Sequence, residues 1–304
     1  MHYAYVTADV FSDRTFGGNP LAVLTDARGL SSEQMQRIAR EFNYAETTFV
    51  LPSEQEGAVK RVRIFTPMAE VPFAGHPNVG TAVVLARSGA LGEVKPGSKI
   101  VFDEAAGLVP ITLLGEGEEV TGAELTAPKI HPMGTVISPA EAAALLSLSE
   151  DQIVFERHLP MVASAGLAFL MVEVKDRDAL AAARADAARL SELEQAHDFN
   201  GVFIYTGEPA DSNTDYRARM FAPSHGVDED PVTGSANAAL GIILAAAAGT
   251  ENGTLRWSVA QGVEMGRAGR ADITAERRNW ETTEIRVAGN AVVVCRGEIE
   301  IPEA

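Results

Sequence analysis

Residues Glu70–Ala86 read EVPFAGHPNVGTAVVLA, and Glu229–Ala245 read EDPVTGSANAALGIILA. Glu, Pro, Gly and Asn fall at the same relative places in both, at a constant offset of 159 (229−70, 231−72, 234−75, 237−78). After Gly75 and Gly234 the residues are apolar or small all round a helix of 3.6-residue period. Each stretch therefore predicts a helix enclosed in a core, not one laid on a surface. Pro77 suits a first helical turn, where its missing N–H costs nothing. A buried helix leaves N–H groups at its amino end without intrahelical partners. Together with the helix dipole they form a place for an anion or a polar ligand oxygen.

The flanking segments repeat in the same order. His2–Phe11 alternates like a half-buried strand, and LAVLTD (Leu21–Asp26) reads as its neighbour. Ser31 opens a capping box, SSEQ, followed by Met35, Ile38, Ala39 and Phe42 on one helical face. ETTFVL (Glu46–Leu51) and VKRVRIFT (Val59–Thr66) read as a hairpin. In the second half, GLAFLMVEV (Gly166–Val174) precedes one Ala-rich helical region from about Arg177 to Ala196, then GVFIYTG and DYRARMFAP. RIFTP (Arg63–Pro67) matches RMFAP (Arg219–Pro223). Arg to Glu is 7 residues in the first copy (70−63) and 10 in the second (229−219), so the second loop is longer. The shared order argues for an internal duplication. At 304 residues the chain also exceeds what one core usually organises. The expected fold is α+β, two pseudo-symmetric halves that are each strands around a central buried helix. The halves are expected over residues 1–120 and 121–287, with GEGEEVTG (Gly115–Gly122) as the junction.

A net charge of −17 repels phosphate backbones and anionic headgroups, so no nucleic-acid or membrane partner is expected. Any site for an anion must supply its own positive potential. The longest uncharged apolar run, Ala238–Gly249, is too short to span a bilayer, and MHYAYVTADVF lacks the pattern of a signal peptide. A cytoplasmic location is the expectation. The single cysteine, Cys295, reads as a small apolar strand residue. No nucleophile elbow, P-loop or G-x-G-x-x-G after a strand is present, which weighs against nucleotide and redox cofactors.

The duplication separates structural from chemical residues. Pro72/Pro231, Gly75/Gly234 and Asn78/Asn237 recur and read as turn and cap residues. The acid–base groups do not recur: His76 faces Ser235, Val71 faces Asp230 and, aligned on Phe49 and Phe203, Glu46 faces Asn200. Glu46 starts an apolar strand, where it is either a solvated strand end or a buried carboxylate with a purpose. His76, at a helix amino end, is expected to be neutral because the dipole disfavours its cation. Asp230 is read equally as a helix cap and as a catalytic group. His225, Asp228, Glu229 and Asp230 form a cluster that fits no strong metal signature, so no metal or other cofactor is expected.

With these residues in view, the chain resembles the phenazine-biosynthesis isomerases, PhzF-like proteins with the diaminopimelate epimerase fold. The resemblance spans essentially the whole chain: DVFSDRTFGGNPLAVL, AETTFV around Glu46, EVPFAGHP, and DEDPVTGSAN. It implies two barrel-like halves with the active site between them and residues 288–304, with a final strand near Val292–Ile301, returning to the first. It also implies a homodimer. Carried over by motif, Glu46 is the acid/base. His76, Asp230 and Ser235 bind substrate and help move protons, Asn19 lies in the binding set, and Gly75 and Gly234 present backbone N–H groups. Related epimerases carry cysteine immediately before each of the two glycines. Here those places hold Ala74 and Thr233, which excludes a two-thiol racemisation.

The expected function is a cofactor-independent isomerase that moves a proton on a small carboxylic acid, with dihydro-3-hydroxyanthranilate as a candidate. Burial is expected to raise Glu46 from its reference pKa of about 4.3. An epimerase or dehydratase on the same scaffold, and a non-catalytic carboxylate binder, are the alternatives.

Overall fold

The computed structural model describes residues 1–131 and 133–302, the side chain of His225 excepted. It contains two compact units, Met1–Thr126 with Ala288–Ala304, and Ala127–Val287. Along the chain the first unit holds β1 (His2–Val10), β2 (Asn19–Leu24), α1 (Ser32–Phe42), β3 (Glu46–Leu51), β4 (Lys60–Phe65), β5 (Glu70–Val71), α2 (Gly75–Arg87), β6 (Lys99–Glu104), β7 (Gly107–Glu116) and β8 (Glu119–Thr126). The second holds α3 (Pro139–Leu146), β9 (Ile153–Val154), β10 (Met161–Ser164), β11 (Ala168–Val174), α4 (Arg177–Ala182), α5 (Ala187–His197), β12 (Val202–Thr206) and β13 (Tyr216–Ala222). It continues with β14 (Val227–Asp230), α6 (Gly234–Ala247), β15 (Gly253–Gln261) and β16 (Gly269–Arg278). The last strand, β17 (Glu281–Glu300), begins in the second unit and ends in the first.

In the first unit the pairings close on themselves: β17, β1, β2, β3, β4, β6, β7 and β8 follow one another, and β8 pairs with β17 again. The pairs β2–β3 and β4–β6 are parallel. Inside this barrel lies α2, buried from Gly75 to Leu85. An apolar helix without a polar stripe has no solvent face to offer, and the closed sheet gives it none. Gly80 permits the close fit, since a Cβ there would stand 2.6 Å from the side chains of both Leu21 and Val10. Outside the barrel, α1 starts at the Ser31–Gln34 capping box and lays Met35, Ile38 and Ala39 against Leu24, Phe49 and Phe65.

The second unit repeats the plan. Strands β10, β11, β12, β13, β15, β16 and the start of β17 follow in order, again with two parallel pairs, β11–β12 and β13–β15. They surround α6, which is buried from Ala236 to Ala245. Helices α3, α4 and α5 cover the other side of β11 and β12, with Leu145, Leu180 and Leu190 packed against Leu170, Val172 and Ile204. The matching Arg and Glu of the two copies are ion pairs in both. Arg63 Nε and Nη2 reach the Glu70 carboxylate at 2.7 and 2.6 Å. Arg219 Nε and Nη2 reach Glu229 at 2.8 and 2.9 Å.

Two expectations need correction. The first unit runs to Thr126, six residues beyond the expected 120, because Gly115–Gly122 is no junction: it is the turn and flanks of the β7–β8 hairpin that completes the barrel. The Ala-rich region is two helices, not one. Nη1 of Arg219 takes the carbonyls of Leu180 and Ala183 at 2.8 and 3.0 Å, and Asp186 then caps α5 through the N–H groups of Ala188 and Arg189. Tertiary partners for the last carbonyls of α4 thus outweigh helix propensity. Cys295, read as a small strand residue, does lie in β17, and its side chain is exposed.

The two ion pairs differ in burial, and this gives a prediction. The Arg219 side chain is 6% exposed and that of Arg63 is 18%. Arg219→Leu leaves Glu229 unpaired and two carbonyls of α4 without donors, and is expected to cost about 3–5 kcal/mol. Arg63→Leu is expected to cost about 1 kcal/mol or less. Urea unfolding of both variants checks this, and equal losses would show that burial does not set the difference.

Candidate active site

Glu46 is the first residue of β3, opposite Leu21 in the parallel strand β2. His76 is the second residue of α2. Their side chains meet, with Glu46 Oε2 3.3 Å from His76 Nε2. Two residues further along β3, Thr48 Oγ1 and Thr81 Oγ1 share a buried 2.8 Å hydrogen bond. Residues i and i+2 of a strand share a face, so Glu46 and Thr48 both address the helix. Two contacts along one strand fix how α2 is rotated against it.

His76 is 5% exposed. Burial pushes its pKa down to about 3, because an imidazolium loses hydration there. The neutral ring keeps one N–H donor and one acceptor nitrogen. The Glu46 side chain is 19% exposed, so one edge of its carboxylate reaches solvent or ligand.

Asn19 joins this group through backbone geometry. The loop between β1 and β2 carries Phe11, Phe16 and Gly18 at φ of 61°, 67° and 55°. At Gly18 a Cβ would stand 2.1 Å from the Val10 carbonyl oxygen, so only glycine fits this turn. The Asp9 carboxylate accepts from the Phe16 N–H at 2.6 Å and helps hold the loop. The chain returns with Asn19 paired to Val10, wholly buried. Asn19 shares its strand face with Leu21, which contacts α2 near Gly80, and it lies towards the helix's amino end.

In the second unit, Asp230 ends β14, Thr233 is the N-cap of α6, Gly234 is its first residue and Ser235, half-buried, its second. Asp230 is not the cap that one reading expected. Its Oδ2 instead accepts from Thr233 Oγ1 at 2.5 Å. Gln261, from the end of β15, accepts from Thr233 N and Asn237 Nδ2, both at 3.1 Å. Its Nε2 donates to the Asp230 carbonyl at 2.9 Å.

The two central helices share a further property. Helices α1, α3, α4 and α5 are each capped by an N-cap side chain, from Ser31, Ser138, Asp176 and Asp186. Neither Ala74 of α2 nor Thr233 of α6 makes such a bond. Asn78 and Asn237, which recur in both copies, donate instead to the N-cap carbonyls of Ala74 and Thr233 at 3.0 Å each. The first-turn N–H groups, including those of Gly75 and Gly234, thus face away from any cap side chain. Among the described residues no group of three or more His, Cys, Asp or Glu side chains is arranged to hold a metal. Glu229 of the acidic cluster belongs to Arg219, and the side chain of His225 lies outside the described residues.

Sequence reading named Glu46, His76, Asp230, Ser235, Asn19 and the two glycines as site residues, and of these the structure shows Glu46 and His76 in contact. It missed Thr48, Thr81 and Gln261. Thr81 is a polar residue inside the otherwise apolar GTAVVLA, but Thr48 follows Thr47 and Gln261 ends a strand with Arg256 and Ser258, so neither stood out.

A sequence profile of the phenazine biosynthesis-like (PhzC-PhzF) family matches residues 8–297. An uncharacterized isomerase of Mesorhizobium japonicum is 36% identical over 302 residues, covering 98% of each chain. The trans-2,3-dihydro-3-hydroxyanthranilate isomerase of Pseudomonas aeruginosa is 34% identical over 295 residues, 97% of this chain and 98% of that one. The crystal structure of a Bacillus anthracis phenazine biosynthesis protein of the PhzF family superposes with a TM-score of 0.86 at 27% identity, covering 99% and 100%. With a buried helix among strands in each unit and likeness along nearly the whole chain, this protein belongs to the phenazine biosynthesis-like family and is one of its isomerases.

Proposed function

We propose that this isomerase moves a proton from one carbon to another on a small carboxylic acid, with Glu46 as the acid/base and no cofactor. The observation that carries the reading is the Glu46 carboxylate 3.3 Å from a neutral His76 at an amino end of α2 that no N-cap side chain closes. Glu46 takes a proton from carbon, leaving a delocalised anion, and returns it to a second carbon, so the composition of the substrate is unchanged. The oxygen on which charge develops is served by fixed donors, the first-turn N–H groups and the His76 ring. A neutral imidazole is suited to this, since it shares a hydrogen bond without adding a charge that would hold Glu46 in its ionised form.

Asp230 and Ser235 are assigned to substrate binding and proton movement in the second unit, and Asn19, Gly75 and Gly234 to substrate binding. Trans-2,3-dihydro-3-hydroxyanthranilate, named for the Pseudomonas aeruginosa relative, is the first substrate to try. A cytoplasmic homodimer without nucleic-acid or membrane partners is the form proposed. No helix among the described residues is long and apolar enough to cross a membrane. Analytical ultracentrifugation tests the dimer.

Incubation with that acid in deuterated water, followed by product analysis, checks the reaction. Isomerised product, with or without deuterium at the newly protonated carbon, supports proton transfer. Recovered substrate with an inverted centre indicates an epimerase, and bound but unchanged acid a binding protein. Glu46→Gln is expected to lower turnover by about two to four orders of magnitude, and an undiminished rate would remove Glu46 from the mechanism.

The neutral state of His76 carries its own test. Its folded pKa of about 3 lies below the ordinary imidazole value of 6.5. As pH falls below 6.5, the unfolded chain takes up a proton that the folded one refuses. Stability therefore drops with falling pH, by up to about 1.4 kcal/mol per unit. Nitrogen NMR of the His76 ring is expected to show no titration between pH 8 and 5, and His76→Gln to flatten the acid side of the stability curve. A ring titrating near 6.5 would overturn the assignment.

A further inference from the structure

Next to each central helix a strand ends in a polar residue, Glu104 on β6 and Gln261 on β15. Strand register makes them counterparts. Arg63 and Arg219 are 156 apart (219−63), so Lys60 corresponds to Tyr216. Lys60 pairs with Phe102 and Tyr216 with Val259. Phe102 thus corresponds to Val259 and, two residues on, Glu104 to Gln261. Each stands opposite the first glycine of the following strand, Gly107 or Gly269. The chain just beyond each also meets the recurring proline. Ala106 N donates to the Pro72 carbonyl at 3.1 Å, and a Cβ on Gly262 would stand 2.7 Å from the Pro231 carbonyl oxygen.

In the second unit the Gln261 carboxamide works from both ends. Its oxygen accepts from Thr233 N and Asn237 Nδ2, and its nitrogen donates to the Asp230 carbonyl and, at 3.2 Å, to Thr233 Oγ1. These bonds tie the first turn of α6 to the strand before it. In the first unit Ala74, Asn78 and Val71 stand where Thr233, Asn237 and Asp230 stand, and Glu104 stands where Gln261 does. Glu104 is 5% exposed, both its oxygens are buried and neither has a well-aligned hydrogen bond. The groups that bear on it are the Asn78 carboxamide on α2 and, of the same sign, Asp103 beside it on β6. A carboxylate has only acceptors. A protonated carboxyl has one acceptor oxygen and one O–H donor, which matches the outer edge of an amide.

We propose that Glu104 is a positioning residue, a neutral carboxyl group that braces the amino end of α2 as the Gln261 carboxamide braces that of α6, and so keeps His76 in place beside Glu46. Burial supports the protonation state, since it pushes Glu104 up to about 8. The positioning role rests on the function proposed above, but the neutral brace does not.

Three readouts on the intact protein test it. Carbon NMR of the Glu104 carboxyl is expected to show it protonated at neutral pH and titrating near 8. The stability contributed by Glu104 is then full below about 4.5, falls as pH rises and is lost by about 8, because the unfolded carboxyl ionises first. Glu104→Gln, which makes the first unit like the second, should abolish that decline, leave the His76 ring nitrogen shifts in place and keep kcat close to wild type. Glu104→Ala should move those shifts and lower kcat roughly tenfold or more, with less change in KM. A carboxyl that ionises near 4.5, or a Gln variant as impaired as the Ala variant, would overturn the neutral brace. His76 shifts unmoved in Glu104→Ala would overturn the positioning role, whether or not a substrate has been found.

Discussion

A helix surrounded by strands on every side must settle its amino end without water. Four N–H groups there have no intrahelical partner, and in a closed barrel they open only where the strands end. The residues proposed for chemistry in this protein lie at such ends. The asparagine four residues after the N-cap returns a hydrogen bond to the N-cap carbonyl in both units, which steadies the first turn but satisfies none of its donors. Those donors, with the positive end of the dipole, remain for whatever oxygen is offered, and a carboxylic acid offers one even to a chain of charge −17.

Duplication has kept the frame and divided the chemistry. The arginine–glutamate pair, the proline and glycine before the helix, and the asparagine within it occur in both units. The side chains around the helix start differ: Val71 against Asp230, Ala74 against Thr233, His76 against Ser235. Glu46 and Asn200 show the division most plainly. Asn200 turns its amide to the Ala168 carbonyl at 3.4 Å, a duty internal to its own sheet. Glu46 turns its carboxylate to His76 instead. At this position the two copies put different side chains to different uses.

The central helices were legible in the sequence because they break a rule that surface helices obey: apolar on all faces, they can lie only inside. The ion pairs were legible as recurring residues, and the α1 capping box as a local pattern. What the sequence concealed depends on partners far along the chain. Arg219 ends α4 by taking carbonyls from residues nearly forty positions earlier, and no propensity within Arg177–Ala196 announces that. Thr48 and Thr81 read separately as ordinary small residues, and only packing joins them. The role of Glu104 emerges once strand register places it opposite Gln261 in the repeat.

The path of β17 bears on how the molecule is made. Its residues from Ala291 onward pair with β1, so His2 lies opposite Glu300, almost the whole chain away. Residues 127–287 form a contiguous unit. The first unit is not contiguous: most of its strands are synthesised early, but β1 takes its β17 partners only from Ala291–Glu300. Until residue 300 emerges, β1 and β8 remain open edges, able to pair with another nascent chain. Contacts of such sequence separation form slowly, so the half that emerges first is the last to be sealed. A chain lost from its final dozen residues would leave Glu46 and His76 present, in a barrel that never closed around their helix.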